Sequence, residues 1–296
     1  MVSRKISICL VLMAVLVIPL GCTAPDAQQA PADDKVIMEE FNQLAAGKGE
    51  VAALVEFITD NIGQVTAENA SLMVARLEEA QKENLPQLEA KFFADANLQT
   101  QLSELAEPQF EIDLSGADQI ELAEVRELLL ETRDTGYKVE TAEGMFFPII
   151  DYQFYQEYSP HVTADMQEYI AIMATESDAV PAKDAALVIG WDEVVARAQR
   201  MAQFIEEYPD SIRADQVKEL YDKYIIFTLF GLNNTPLFDY NTNTMVEEAE
   251  DVYRQAAAGS EDNAYLELLQ DYLKVLEENN YKLTAEVDQY RKDITK

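Results

Sequence analysis

Histidine occurs once in this sequence, at His161, and cysteine twice, at Cys9 and Cys22. A single histidine excludes histidine-rich zinc sites and leaves any Ser-His-Asp arrangement with one candidate base. His161 directly follows Ser159-Pro160, a pair expected to open a helix, and such a first-turn position is ordinarily exposed. Cys9 sits inside an apolar run, so the rest of the chain has Cys22 as its only thiol. A disulfide framework, thiolate catalysis and a cysteine zinc site are thereby excluded from the body of the protein. Glycine-rich phosphate loops are absent as well. Basic residues are scarce: 22 lysines and arginines face 55 aspartates and glutamates, a formal net charge of −33. A surface of that sign repels phosphate backbones, so no nucleic-acid partner is expected. The acidity is accounted for either by solubility in salt-rich surroundings, where charges are screened, or by attraction of cations or basic partners.

What is present begins with residues 1–22. Arg4 and Lys5 precede a continuous apolar run from Ile6 to Leu20, followed by Gly21-Cys22. Charged, apolar and small-residue regions in that order make an export signal, and the run is too short to span a bilayer comfortably. The segment resembles the signal of bacterial lipoproteins. That resemblance implies cleavage after residue 21, lipidation of Cys22 and a partner in the membrane through the N-terminal lipid. Thr23 in place of aspartate further implies the outer membrane if the host is Gram-negative. Residues 22–34, small, polar and proline-containing, then read as a flexible tether.

Hydrophobic residues make up 48% of the chain, enough for a folded core. Their spacing is helical almost throughout: Ile37, Phe41 and Leu44; Val51, Leu54, Val55, Ile58 and Ile62; Met73, Leu77, Ala80 and Leu88. Thr66 is placed to cap the third of these helices, and Pro86 marks a kink or a fresh first turn in it. Leu122, Val125 and Leu129 predict another helix, opened by Ser115 or Asp118. The period changes to two at residues 137–150, where a break at Ala142-Glu143-Gly144 predicts a β-hairpin, the one β element expected. Tyr152, Phe154, Tyr155 and Tyr158 follow, either as core or as a surface that stacks on sugar rings. The expected fold is therefore predominantly all-α, antiparallel helices with one small hairpin, in an N-terminal part 35–135 and a C-terminal part 136–296. Within the latter, the alanine-rich helix ending in Tyr208-Pro209-Asp210-Ser211 and its successor resemble one tetratricopeptide-type helical hairpin, around residues 190–230.

Two stretches carry candidate chemistry. Asp239, Asn241, Asn243, Glu247 and Glu250 stand at the first, third, fifth, ninth and twelfth positions of a loop that resembles a calcium-binding EF-hand. Calcium is the one ion this spacing implies. The competing account makes Thr244 and Glu247 a capping box for a helix starting near Met245. Second, Tyr169 to Ser177 is similar to the helix end that presents the catalytic acid in lytic transglycosylases. There Glu176 would protonate a glycosidic oxygen, with Tyr158 or Tyr169 nearby. No catalytic residue is assigned on the leading interpretation, which is a lipid-anchored, non-catalytic binding or scaffolding lipoprotein of the cell envelope with a protein or peptide partner. Its groove is expected at the helix pair from Trp191 to Phe230 and the adjoining loop from Leu232 to Tyr240.

Overall fold

A computed structural model describes residues 32–47, 50–106, 111–259 and 263–296. The signal segment 1–21, Cys22 and the tether up to residue 31 lie outside the described residues. Helix α1 (Ala32–Ala46) takes in the last three residues of the expected tether. Asp34 is buried there and accepts from Asn69 Nδ2 with both carboxylate oxygens, at 2.9 and 3.0 Å. That contact, with Ile37 and Phe41 buried one and two turns on, fastens the first turn to the body.

Helices dominate, as their apolar periodicity predicts. Helix α2 (Val51–Asn61) buries Val51, Leu54 and Ile58. Thr66 caps α3 (Ala67–Phe92), its hydroxyl accepting from the Asn69 amide. Pro86 neither ends nor restarts α3, which runs through it. A proline removes the hydrogen bond to the carbonyl four residues earlier, here Lys82. Lys82 and Pro86 both lie on the exposed face of the helix, where the freed carbonyl need not be buried without a partner. Helix α4 (Ala96–Ala106) is followed by a 3₁₀ turn at Leu114–Gln119, capped by Asp113 through the Ser115 amide. Neither Ser115 nor Asp118 opens α5 (Ala123–Asp134), which starts after Leu122 without a side-chain cap. Asp118 instead pairs with Arg133 at 2.7 Å.

The hairpin of β1 (Tyr137–Ala142) and β2 (Met145–Ile150) is antiparallel, with Ala142 opposite Met145. Its two-residue turn is Glu143-Gly144, at φ +51° and +75°. Paired positive φ values match the twist of the strands and explain the glycine. It is not the only β element. Two more hairpins, each of two-residue strands, form from β3 (Ala182–Lys183) with β4 (Ala186–Leu187), and from β5 (Gly231–Leu232) with β6 (Thr235–Pro236). Strands this short show no alternation to read in advance.

Between them lie α6 (Ala164–Asp178), α7 (Trp191–Glu207) and α8 (Ala214–Phe230). Ser159-Pro160 forms a separate 3₁₀ turn, and Thr163 is the residue at the start of α6. Helices α7 and α8 pack as an antiparallel hairpin, joined by α9 (Glu247–Ala257), α10 (Ala264–Glu278) and α11 (Ala285–Ile294). Asn263 and Thr284 cap the last two. Helix α3 packs on α1, α2, α5 and β2, so one buried cluster runs from Phe41 to Val287. Tyr152, Tyr155 and Tyr158 belong to that core rather than to a surface. Among the described residues no helix is long and apolar enough to cross a membrane.

Candidate functional site

Three polar features stand out against this apolar interior. The deepest is Glu78 on α3, 1% exposed. Its Oε1 accepts from Tyr152 at 2.5 Å and Tyr169 at 2.6 Å and lies 2.6 Å from Lys82 Nζ. Its Oε2 meets Arg213 Nη2 at 2.5 Å. That last contact is ionic and lies off the hydrogen-bond direction, so Arg213 Nε and Nη2 have no aligned acceptor. The guanidinium also covers the Tyr169 ring at 4.8 Å. One turn on, Gln81 receives Tyr155 and donates to the carbonyls of Thr135 and Gly136. These contacts bind α3 to β1, to α6 and to the segment before α8. Apart from Glu78 Oε2, Arg213 Nε and Arg213 Nη2, which lack an aligned hydrogen-bond partner, the polar atoms of the cluster are satisfied within the fold, and the cluster reads as a staple.

The tyrosines around it are held neutral. Burial, and then the neighbouring carboxylate Glu78, push the Tyr169 phenol far up, and burial alone accounts for most of the rise at Tyr137, to about 12. Tyr253, Tyr265 and Tyr272 are likewise raised by burial. A folded-state value above the unfolded one gives stability that is complete below the unfolded value, about 10 for tyrosine, and is lost as pH rises beyond it. The expected result is cooperative alkaline unfolding above about pH 10, with the ionisation of the buried tyrosines and the loss of helical circular dichroism occurring together, after any exposed tyrosine has ionised. Ionisation of every tyrosine, the buried ones included, without loss of helix would contradict it.

The second feature is Glu176, at the end of α6. Its side chain is nine-tenths buried, and Oε1 accepts from Tyr224 at 2.6 Å and from Arg197 Nη1 at 3.1 Å. The tyrosines expected beside it bond elsewhere, Tyr158 with Thr59 and Tyr169 with Glu78. His161 borders Gly63 on the 3₁₀ turn, remote in sequence from either carboxylate.

The third lies at the end of α8, where the groove was expected. Gly231 turns the chain into β5, and the two short hairpins dock on each other: the Asn234 amide donates to Ala185 O at 2.8 Å, and Leu187 N–H to Thr235 Oγ1 at 3.1 Å. Below them is a cavity of about 440 Å³, within the range of small-molecule pockets. Ile226, Phe230, Leu232, Phe238 and Leu283 supply apolar walls, and Arg291 of α11 backs it. Tyr240, 70% exposed, arches over the rim and donates to Asn233 O at 3.0 Å. A larger cavity of about 660 Å³ lies between α1, α3 and the start of α8, but its charged lining is already paired: Arg76 with Glu79, Arg213 with Glu78.

The loop residues 239–250 divide between two structures. Asp239 Oδ1 accepts from the amides of Asn241 and Thr242 and from the Thr242 hydroxyl. The Asn243 amide donates to Asp239 O at 2.8 Å, and Asn243 sits at φ +53°. These bonds hold the Asp239 carboxyl below the usual carboxylate range, the Thr242 amide contributing most. Glu247 and Glu250 belong to α9, where Glu250 pairs with Arg254 at 3.0 Å. The first three positions thus share a turn while the last two leave on a helix; among the described residues no three His, Cys, Asp or Glu side chains group to hold a metal. The capping box is also absent. Val246 precedes α9, and Thr244 bridges to Lys282 instead. The extended pairing of Phe238 with Met245, and the Val246 amide with Leu237 O, hold this segment straight until Glu247.

Arg291, Glu78 and Arg213 were not singled out by periodicity or motif. The available signal was an arginine four residues after Val287, on that residue's buried face. Compared with protein-family models, with curated proteins and with solved structures, the chain matches none.

Proposed function

We propose that this chain is an exported, lipid-anchored binding protein of the bacterial cell envelope, without catalysis of its own. Cys22 carries the lipid, and the helical body presents the pocket at the end of α8 to a partner. The observation that supports the binding role is that pocket: loops from three parts of the chain converge to build it, more than a connection from α8 to α9 needs. Short connections are the rule in helical bundles, and elaborated loops on a rigid scaffold are where binding residues concentrate.

Two expected results test this. In a bacterial expression host, a clickable fatty-acid label should enter the wild-type chain and be lost from Cys22→Ser, which should also leave the membrane fraction. A photo-crosslinking residue at Tyr240 should retain a partner that the same residue at exposed Leu122 does not. Label persisting in Cys22→Ser would remove the anchor, and equal adducts at both positions would remove the site.

A further inference from the structure

We infer that the pocket at the end of α8 selects a small apolar group bearing one carboxylate. The inference rests on the binding role proposed above and names the chemistry of its ligand. In a chain with 55 acidic residues, no aspartate or glutamate lines this cavity, and its one charged lining residue is Arg291. Four other cavities are unlike it. Glu79 lines the one beside α1, Glu50 and Glu83 a third, Asp222 a fourth, and Glu111, Glu140 and Asp178 a fifth. On a strongly acidic surface, a pocket free of acidic lining residues is arranged to admit negative charge.

Arg291 is 6% exposed and pre-oriented. Its Nη1 donates to Leu229 O at 3.2 Å, and its guanidinium lies 4.5 Å from the Phe230 ring centre and 5.2 Å from that of Phe238. Nε has no acceptor. Nη2 donates to Asp288 Oδ1 at 2.8 Å, but Asp288 also holds Lys292 on Oδ2 at 2.5 Å. One carboxylate therefore answers two cations, Arg291 on the pocket wall and the exposed Lys292 beside it, so that Arg291 is only partly neutralised. Behind aromatic rings, with water displaced, that charge acts on the cavity through a lower effective dielectric than it would at the surface. Asn233 and Asn243 are also lining residues, and an asparagine amide is a donor suited to a carboxylate head. Ile226, Leu232 and Leu283 take the apolar body. An amine or a neutral amide of the same shape gains the apolar contact without the charge complement.

The test uses the full folded body with three probes of one shape: phenylbutyrate, its amide and the corresponding amine. Binding is followed by amide chemical shifts at Leu232, Tyr240 and Leu283. An N-acetylated dipeptide ending in phenylalanine separates a peptide C-terminus from a free small acid as the natural source, the tighter of the two carboxylates naming it. Arg291 itself holds α8 to α11, so the variants are placed at Ile226, 46% exposed on the pocket wall. Phenylbutyrate should bind saturably, with amide and amine weaker by about tenfold or more, and Ile226→Glu should weaken the acid by about tenfold while Ile226→Gln changes it by less than about threefold. If acid and amide bind alike, or Ile226→Glu and Ile226→Gln are equivalent, the carboxylate selectivity is wrong while the pocket remains a binding site. If no probe shifts these amides at any soluble concentration, the pocket itself is not one and both readings fall.

Discussion

Glu78→Gln is expected to lower the unfolding free energy by about 3–5 kcal/mol, the usual cost of removing one partner of a buried ion pair. The loss is large because Arg213 remains: 2% exposed, with Nε and Nη2 already lacking aligned acceptors, it would keep its charge in the core with no counter-ion. Tyr152 and Tyr169 would at the same time keep only a neutral acceptor where they now have a carboxylate. Lys82 is half exposed and turns to water, so it adds little to the penalty. Replacing Glu78 and Arg213 together by methionine should cost clearly less than Glu78→Gln, since no uncompensated charge is left. Urea unfolding of the three proteins checks this. A single variant within about 1 kcal/mol of wild type would show that the pair is not the staple its geometry describes.

The same pair sets a pH dependence whose sign is fixed. Burial pushes the Glu78 carboxyl up, but Arg213 and then Lys82 outweigh it, and the group ends below its ordinary value of 4.5. A folded-state value below the unfolded one contributes stability above the unfolded value and loses it as pH falls through the folded one. The gap between wild type and Glu78→Gln should therefore be full at neutral pH and narrow progressively below about 4.5. A gap that stays constant into acid would mean that Glu78 binds its proton equally well in the folded and unfolded chain, so that Arg213 and Lys82 do not hold it below its ordinary value.

Gly231→Ala is the second large effect, and it acts on the pocket. Gly231 has φ +67° and ψ −149°, a combination open essentially to glycine alone. An added Cβ would also stand 2.3 Å from Thr235 O and 2.7 Å from Leu237 N, both backbone atoms of the facing strand and its continuation. No side chain can move aside to relieve that overlap. Strained backbone of this kind costs about 1–3 kcal/mol before any collision is counted, so a total loss of about 3 kcal/mol or more is expected. Because β5 and β6 would have to part, exchange of the Leu237 amide, now bonded to Phe230 O at 3.0 Å, should accelerate more than that of α3 amides. A variant as stable as wild type, with unchanged exchange at Leu237, would refute the strain.

Much of the helical architecture was legible beforehand, because an amphipathic helix announces its buried face by period. Val51, Leu54 and Ile58, or Leu266, Leu269 and Leu273, are buried where spacing places them. The β1–β2 hairpin was equally readable, since Glu143-Gly144 supplies a turn that few other residue pairs adopt. Helix starts were less so. Thr66 caps its helix as expected, but Ser115, Ser159 and Thr244 had equally suitable side chains and open no α-helix; α6 starts instead after Thr163, without a side-chain cap. A capping residue is effective only where the following segment is free to wind. At Thr244 a bridge to Lys282 keeps the chain extended, and that partner lies on a distant segment.

The sequence by itself determined the charge balance, the near absence of histidine and thiol, the alternation of apolar faces and hence a predominantly helical protein. These are properties of composition and of neighbours a few residues apart, and no folding is needed to know them. Only the tertiary structure decided which polar groups meet. Glu78 with Arg213, Glu176 with Arg197 and Tyr224, and Arg291 with the last turn of α8 join residues far apart in the chain. Burying a charge is unfavourable until its partner is in place, so each such contact depends on the whole fold being assembled, and local pattern holds no record of it.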